Sequence, residues 1–145
     1  MEETKVFGEK LEGIEYFART GAYGIAEDAS GKVAAVKLPY GYFLIGGGIE
    51  PCEDREEALK REFLEETGFS IEIAEYIGEY SGYYYSEGFS RYMNGIGHFY
   101  RVKMCARTAE PVEADHTLVF LDKEECVKLL KYDYQRAAVK KAFAL

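Results

Sequence analysis

The chain has 145 residues, 26 acidic against 18 basic, and a formal net charge of −8. That negative excess argues against nucleic acid polymers and anionic membranes as partners. The length suits one domain over residues 1–145 with a real core. No apolar run approaches the ~20 residues that cross a bilayer, and the N-terminus does not resemble a signal peptide. Cys52, Cys105 and Cys126 are odd in number and form no CxxC pair, which predicts a reducing, cytoplasmic setting. An apolar share of 48% is ordinary, whereas 13 tyrosines and no tryptophan are unusual.

In chain order, Gly21 to Ala26 and Lys32 to Leu38 read as strands around the turn Asp28-Ala29-Ser30-Gly31, a predicted hairpin. Tyr42 to Ile45 reads as a short buried strand. Gly46-Gly47-Gly48 follows as a loop whose backbone can approach a metal or a phosphate closely, unless it is a plain strand-to-loop turn. Arg55 to Thr67 is rich in helix formers. Asp54 suits the N-cap, Glu57 completes the capping-box spacing, and Gly68 fits the left-handed position beyond the C-terminus. Ser70 to Tyr85 and Gly95 to Cys105 are β-prone, joined through Ser86 to Asn94. Leu118 to Leu121 gives a further strand. Asp122, with Glu125 at the capping-box spacing, starts a helix, and Asp133 starts another that runs to the C-terminus. Mixed strands with a few helices predict an α/β sandwich rather than a bundle.

The chemistry concentrates between Gly47 and Phe69, in GGIEPCEDREEALKREFLEETGF. Gly47, Glu53, Arg61, Glu62, Glu65, Glu66 and Gly68 stand in the register G-x5-E-x7-R-E-U-x-E-E-x-G-U, where U is bulky and apolar. Composition alone would produce such a match about once in a hundred thousand chains. Glu62, Glu65 and Glu66 at i, i+3 and i+4 share one helix face. Like charges so placed weaken a bare helix by roughly a few tenths of a kcal/mol per pair, and hard oxygen ligands so grouped suit Mg²⁺ or Mn²⁺. A solvated acidic face is the plainer reading of such a run taken in isolation. From Glu50 to Glu66 eight acids face three bases, so phosphates would be repelled unless cations intervened.

This register is the Nudix box, and the chain resembles a Nudix hydrolase of the small MutT-like type. The resemblance implies an α/β/α sandwich with a mixed β-sheet, whose box forms a loop–helix–loop that holds divalent metal. It implies Glu62, Glu65 and Glu66 as metal ligands, completed by the Gly46 carbonyl, with Glu62 also a candidate general base. Glu53 would orient Arg61 and so support the catalytic helix. Two places depart from the commonest family sequence: Ile45-Gly46-Gly47 for Pro-Gly-Gly, and Pro51-Cys52-Glu53 for Pro-Gly-Glu. Neither falls on a defined box position. Cysteine at 52 is expected to avoid the positive φ that glycine would tolerate.

Selectivity is read from thinner signals. Tyr83, Tyr84 and Tyr85 lie 14 to 16 residues beyond Phe69. A proline at the 15th position would resemble ADP-ribose hydrolases, but Tyr84 stands there. Tyr85 fits the spacing that resembles diadenosine polyphosphate hydrolases, which makes it the candidate for stacking a substrate base; half-buried strand packing is the competing reading. His98, inside the apolar segment Ile96 to Tyr100, is expected to be a packed histidine. Glu110, Glu113 and Asp115 are candidates for an extra acid from outside the box, with His116 close by.

The expected activity is Mg²⁺-dependent hydrolysis, with Mn²⁺ as the alternative ion, of a nucleoside diphosphate linked to another group X, by water attack on phosphorus. The alternative is a nucleotide-binding regulatory module that keeps the fold with little catalysis, although such modules usually carry eroded boxes. An isoprenoid diphosphate isomerase would call for a longer chain and further motifs. Monomer and homodimer both fit the sequence.

Overall fold

A computed structural model describes residues 3–145. In chain order the elements are β1 (Val6–Phe7), β2 (Phe17–Ile25), β3 (Val33–Leu38), β4 (Gly41–Phe43), β5 (Ile45–Gly48), α1 (Arg55–Thr67), β6 (Phe69–Ser86), β7 (Arg91–Arg107), β8 (Thr117–Leu121), α2 (Lys123–Leu129) and α3 (Asp133–Phe143). A five-stranded mixed sheet has the order β1-β6-β7-β2-β5, and a three-stranded sheet has the order β4-β3-β8. β2 runs parallel to β7 and antiparallel to β5, so it lies between the long β6–β7 hairpin and the glycine strand.

Strand alternation gives the large sheet two apolar faces. On β2 and β7, Ala22, Tyr100 and Val102 face a cluster containing Leu59 and Phe63 of α1. The intervening residues Ile25 and Phe99 face a second cluster with Cys126, Leu130, Tyr134, Ala138 and Val139 from the α2–α3 segment. Helices therefore cover both faces of the sheet, an α/β/α sandwich. Burying a side chain the size of Leu59 or Phe63, both fully buried, contributes roughly 1.5–3 kcal/mol each.

Helix α1 has its expected bounds and caps. The Asp54 carboxylate accepts the Glu57 N–H at 2.8 Å, and the Glu57 carboxylate accepts the Asp54 N–H at 3.1 Å. Gly68 ends the helix in the left-handed conformation, φ 79°, with its N–H on the Leu64 carbonyl. The β6 and β7 strands outrun the predicted segments at both ends and leave only Glu87 to Ser90 as their connection.

Three local expectations fail. The turn at Asp28 to Gly31 exists, but β2 and β3 do not form a hairpin; a single bridge, Glu27 to Val33, precedes their divergence into separate sheets. Gly46 to Gly48 form strand rather than loop, paired through Tyr23↔Gly46 and Gly21↔Gly48. Tyr42 to Ile45 is broken at Leu44 between β4 and β5. In each case long-range pairing overrides local turn chemistry. Cys52 also departs from expectation: its φ is 69°, so a non-glycine residue adopts the left-handed conformation in the turn before α1.

Candidate active site

Helix α1 packs on β5, which brings its carboxylate face against the glycine strand. The contact is close at Gly47, where a Cβ would sit 2.7 Å from the Glu62 carboxylate. Only glycine lets strand and carboxylate meet there. Glu66 is 4% exposed. One of its oxygens accepts the Gly46 N–H at 2.9 Å, and the other lies 3.5 Å from His116 Nε2. Burial raises the Glu66 pKa well above the usual carboxylate range, and the neighbouring Glu62 adds to the rise. The Glu62 pKa is also raised by burial, against the opposing pull of Arg61.

Arg61 ties the box together. Its Nε and Nη2 donate to the two oxygens of Glu53 at 2.7 and 3.0 Å, a bidentate pair, and Nη2 also donates to the Gly48 carbonyl at 3.0 Å. Nη1 reaches Glu62 at 3.0 Å and Glu65 at 3.1 Å. The Arg61 bonds and the Glu50 N–H hold the Glu53 carboxyl below its usual pKa. Glu53 fixes the guanidinium that lies along Glu62 and Glu65.

The segment after β7 closes over this face. The Val112 and Glu113 N–H groups donate to the Glu65 carbonyl at 2.8 and 3.3 Å. This anchor brings Glu113 and His116 to the cleft that Glu62 and Glu66 line. Glu113, Asp115 and His116 offer ligand atoms within 4.8 Å of one another. Glu110 lies apart, 90% exposed and paired with Arg107. His98 is held outside the cleft by Arg55 and Tyr76, at 2.9 and 3.0 Å from its Nδ1.

Glu66 at Gly46 and Glu62 at Gly47, with Glu65 joined to Glu62 through Arg61 Nη1, form an all-oxygen donor set on one face of α1. Two of these carboxylates are desolvated and raised in proton affinity, so the group concentrates negative charge that Arg61 only partly offsets. That donor chemistry fits a hard divalent cation such as Mg²⁺ or Mn²⁺.

Beyond the carboxylates the cleft continues as a hollow of about 140 Å³ against an aromatic wall. Tyr84 packs on Tyr132 at a tilt of 30° with centroids 3.9 Å apart, and Phe43 packs on Tyr132 at 5.4 Å. Arg19 of β2 stands at the junction, its guanidinium 4.5 Å over the Phe89 ring. Among the described residues it has none of the ion pairs that occupy Arg61, Arg101, Arg107 and Arg136.

Tyr85, the residue the sequence points to for stacking a base, lies away from this wall. It is 47% exposed, packs edge-on against Tyr92 at 5.0 Å, and borders a separate hollow with Tyr16 and Arg91. The two-residue period of β6 sends Tyr84 to the cleft and Tyr85 to the other side. Sequence reasoning also passed over Arg19, Phe89, Tyr132 and Gln135. Gln135 carried a usable signal: it interrupts the buried helix face formed by Tyr134, Ala138 and Val139, where a polar residue needs a partner.

Comparison with known proteins agrees with this architecture. The family model described as NUDIX domain matches residues 17–142. A NUDIX hydrolase from Nitrosomonas europaea superposes with a TM-score of 0.68 at 16% identity, covering 88% of this chain and 90% of that one. The MutT protein from Methanosarcina mazei gives 0.65 at 16%, covering 91% and 96%. The E. coli dihydroneopterin triphosphate pyrophosphohydrolase gives 0.65 at 14%, covering 88% and 97%. No curated protein matches significantly by sequence.

Proposed function

The chain belongs to the Nudix family of hydrolases, which cleave nucleoside diphosphates linked to X, and on that premise we propose that it is a divalent-metal-dependent nucleotide pyrophosphohydrolase. The observation that carries this reading is the acidic face of α1 laid on the glycine strand, with Glu62 at Gly47, buried Glu66 on the Gly46 N–H and Glu65 joined to Glu62 through Arg61. These three carboxylates, with the Gly46 carbonyl, would hold Mg²⁺ or Mn²⁺. Bound there, the cation supplies charge neutralisation of the diphosphate and lowers the pKa of an attacking water.

The chain's own groups do the rest. Glu62, whose proton affinity is raised by burial, takes the proton of the attacking water as oxygen bonds to phosphorus. The bridging P–O bond breaks, and its electron pair leaves with the departing phosphate. Arg61, gripped by Glu53, keeps Glu62 and Glu65 in register during this transfer. Arg19 binds a phosphate oxygen of the substrate, since it lines the cleft and forms no ion pair among the described residues. The aromatic wall stacks the planar end of the nucleotide.

A substrate panel tests the proposal: canonical and oxidised dNTPs, ADP-ribose, nucleotide sugars, diadenosine polyphosphates and dihydroneopterin triphosphate. Each is assayed with Mg²⁺ and Mn²⁺ against an EDTA control, with products identified by chromatography. Metal-dependent cleavage of one class is the expected result. Binding without turnover across the panel would instead support a regulatory module.

A further inference from the structure

We propose that Gln135 is a specificity-determining residue that selects nucleobases presenting a carbonyl oxygen at the edge lodged in the aromatic cleft; this rests on the nucleotide-hydrolase reading above. The residue is 2% exposed, yet it lines the cleft. It is the only side-chain amide in that lining among the described residues.

Its orientation is decided by the backbone. Leu44 lies in the break between β4 and β5, where its N–H has no ladder partner, and the Gln135 carbonyl oxygen accepts that N–H at 2.9 Å. A donor on Leu44 demands the oxygen of Gln135, so the assignment of the amide is not free. The amide NH₂ is then the end left for the cleft. Among the described residues its one hydrogen bond is the one its oxygen accepts from Leu44, and no side-chain polar atom is sealed away unsatisfied. Gln135 therefore turns its donor end, the NH₂, toward a ligand, while its oxygen is committed to the Leu44 N–H.

Its place relative to the carboxylates fits a nucleotide. Glu66 is fixed to the N–H of Gly46 and Gln135 to the N–H of Leu44, two residues apart on one extended segment. The two anchor points are thus about 7 Å apart, comparable to the distance that the ribose spans between the α-phosphate and the base. Tyr84, Tyr132 and Phe43 line the same cleft and stack a base with little regard for identity. Discrimination then falls to the polar atom at the end of the slot. A donor pair meets a carbonyl oxygen productively and an exocyclic amino group unproductively, since both would donate.

The test compares matched pairs that differ at that edge, UTP against CTP and ITP against ATP, in the wild type and in Gln135→Glu. Glutamate keeps an oxygen for the Leu44 N–H and replaces the donor end by an acceptor. The wild type should favour UTP and ITP by about 10- to 100-fold in kcat/KM, the effect of leaving one buried donor unpaired. Gln135→Glu, assayed near pH 8 to keep it ionised, should shift both ratios at least tenfold toward CTP and ATP. Wild-type ratios near one, or ratios unmoved by the substitution, would overturn the role of Gln135 while leaving the hydrolase intact. The wild-type ratios decide this even where the variant fails to fold. Calorimetric affinities for the same four nucleotides read the preference without turnover. A carbonyl preference without hydrolysis would keep Gln135 and overturn the hydrolase, whereas no hydrolysis with equal affinities would overturn both.

Discussion

One wall of the cleft is a single helix, while the opposite wall is assembled from β2, the β3–β4 turn, the β6–β7 connection and the α2–α3 junction. On the helical wall, Glu62, Glu65 and Glu66 are set by backbone periodicity and by caps at both helix ends. On the aromatic wall, Arg19, Phe43, Tyr84, Phe89, Tyr132 and Gln135 meet only because three strands, two connecting segments and a helix pack in one arrangement. The two walls therefore answer to different forces. Local hydrogen bonding and electrostatics position the reactive groups, and long-range packing positions the groups that choose a substrate. Substitutions in the helix should register in kcat, and substitutions opposite should register in KM and selectivity.

The largest expected effect is on the helical wall. Removing divalent metal with EDTA should lower turnover on the order of a thousandfold or more, because several kcal/mol of charge stabilisation is lost. Restoring Mg²⁺ should recover it, and activity that survives chelation would erase the distinction between the walls. At the junction, Arg19→Ala should lower kcat/KM by about 10- to 100-fold, chiefly through KM, as expected for one charge-assisted hydrogen bond to phosphate. A pure kcat effect would move Arg19 to the catalytic side.

Tyr132→Leu keeps most of the wall's volume but removes its aromatic face. It should raise KM by about three- to tenfold with kcat within about twofold. The smallest effect tests how local the helical wall is. Asp54→Ala should lower the Tm by only about a few degrees, through the lost cap. The Glu57 N–H holds the Asp54 carboxyl below its usual value of 3.8. The folded pKa is thus depressed, so the cap's contribution is complete above the usual value and fades as pH falls through the lowered one. The Tm gap between wild type and Asp54→Ala should be constant from pH 6 to pH 8 and narrow below about pH 4. A gap that widens in acid would contradict the capping account.

The same division explains what the sequence revealed. The helix from Arg55 to Thr67 was legible to the residue, because its capping box, its Gly68 stop and its i, i+3, i+4 carboxylates are all local signals. Strand existence was legible too, but strand partnership was not: a turn at Asp28 to Gly31 suggested a hairpin that sheet packing divides. The glycine triplet looked like a loop because glycine carries no side-chain pattern, and its pairing with β2 is a long-range matter. Spacing alone points to Tyr85 rather than Tyr84. Only the phase of β6 tells which of two adjacent tyrosines faces the cleft, and three bulge-like register shifts along β6 blur that phase in the sequence. Cys52 shows the converse, a local preference overruled: the turn between Glu50 and Glu53 takes a positive φ there despite the side chain.

The account stands most directly on Glu62, the carboxylate packed on Gly47 and assigned the proton of the attacking water. The decisive measurement is the kcat of Glu62→Gln on the best substrate of the panel at saturating Mg²⁺, beside its circular dichroism spectrum and Tm. The amide keeps the shape of the side chain and lacks the base, so the account predicts a native spectrum, an unchanged or raised Tm, and a kcat lower by about 10²- to 10⁴-fold. A folded Glu62→Gln enzyme that turns over at near the wild-type rate would contradict it.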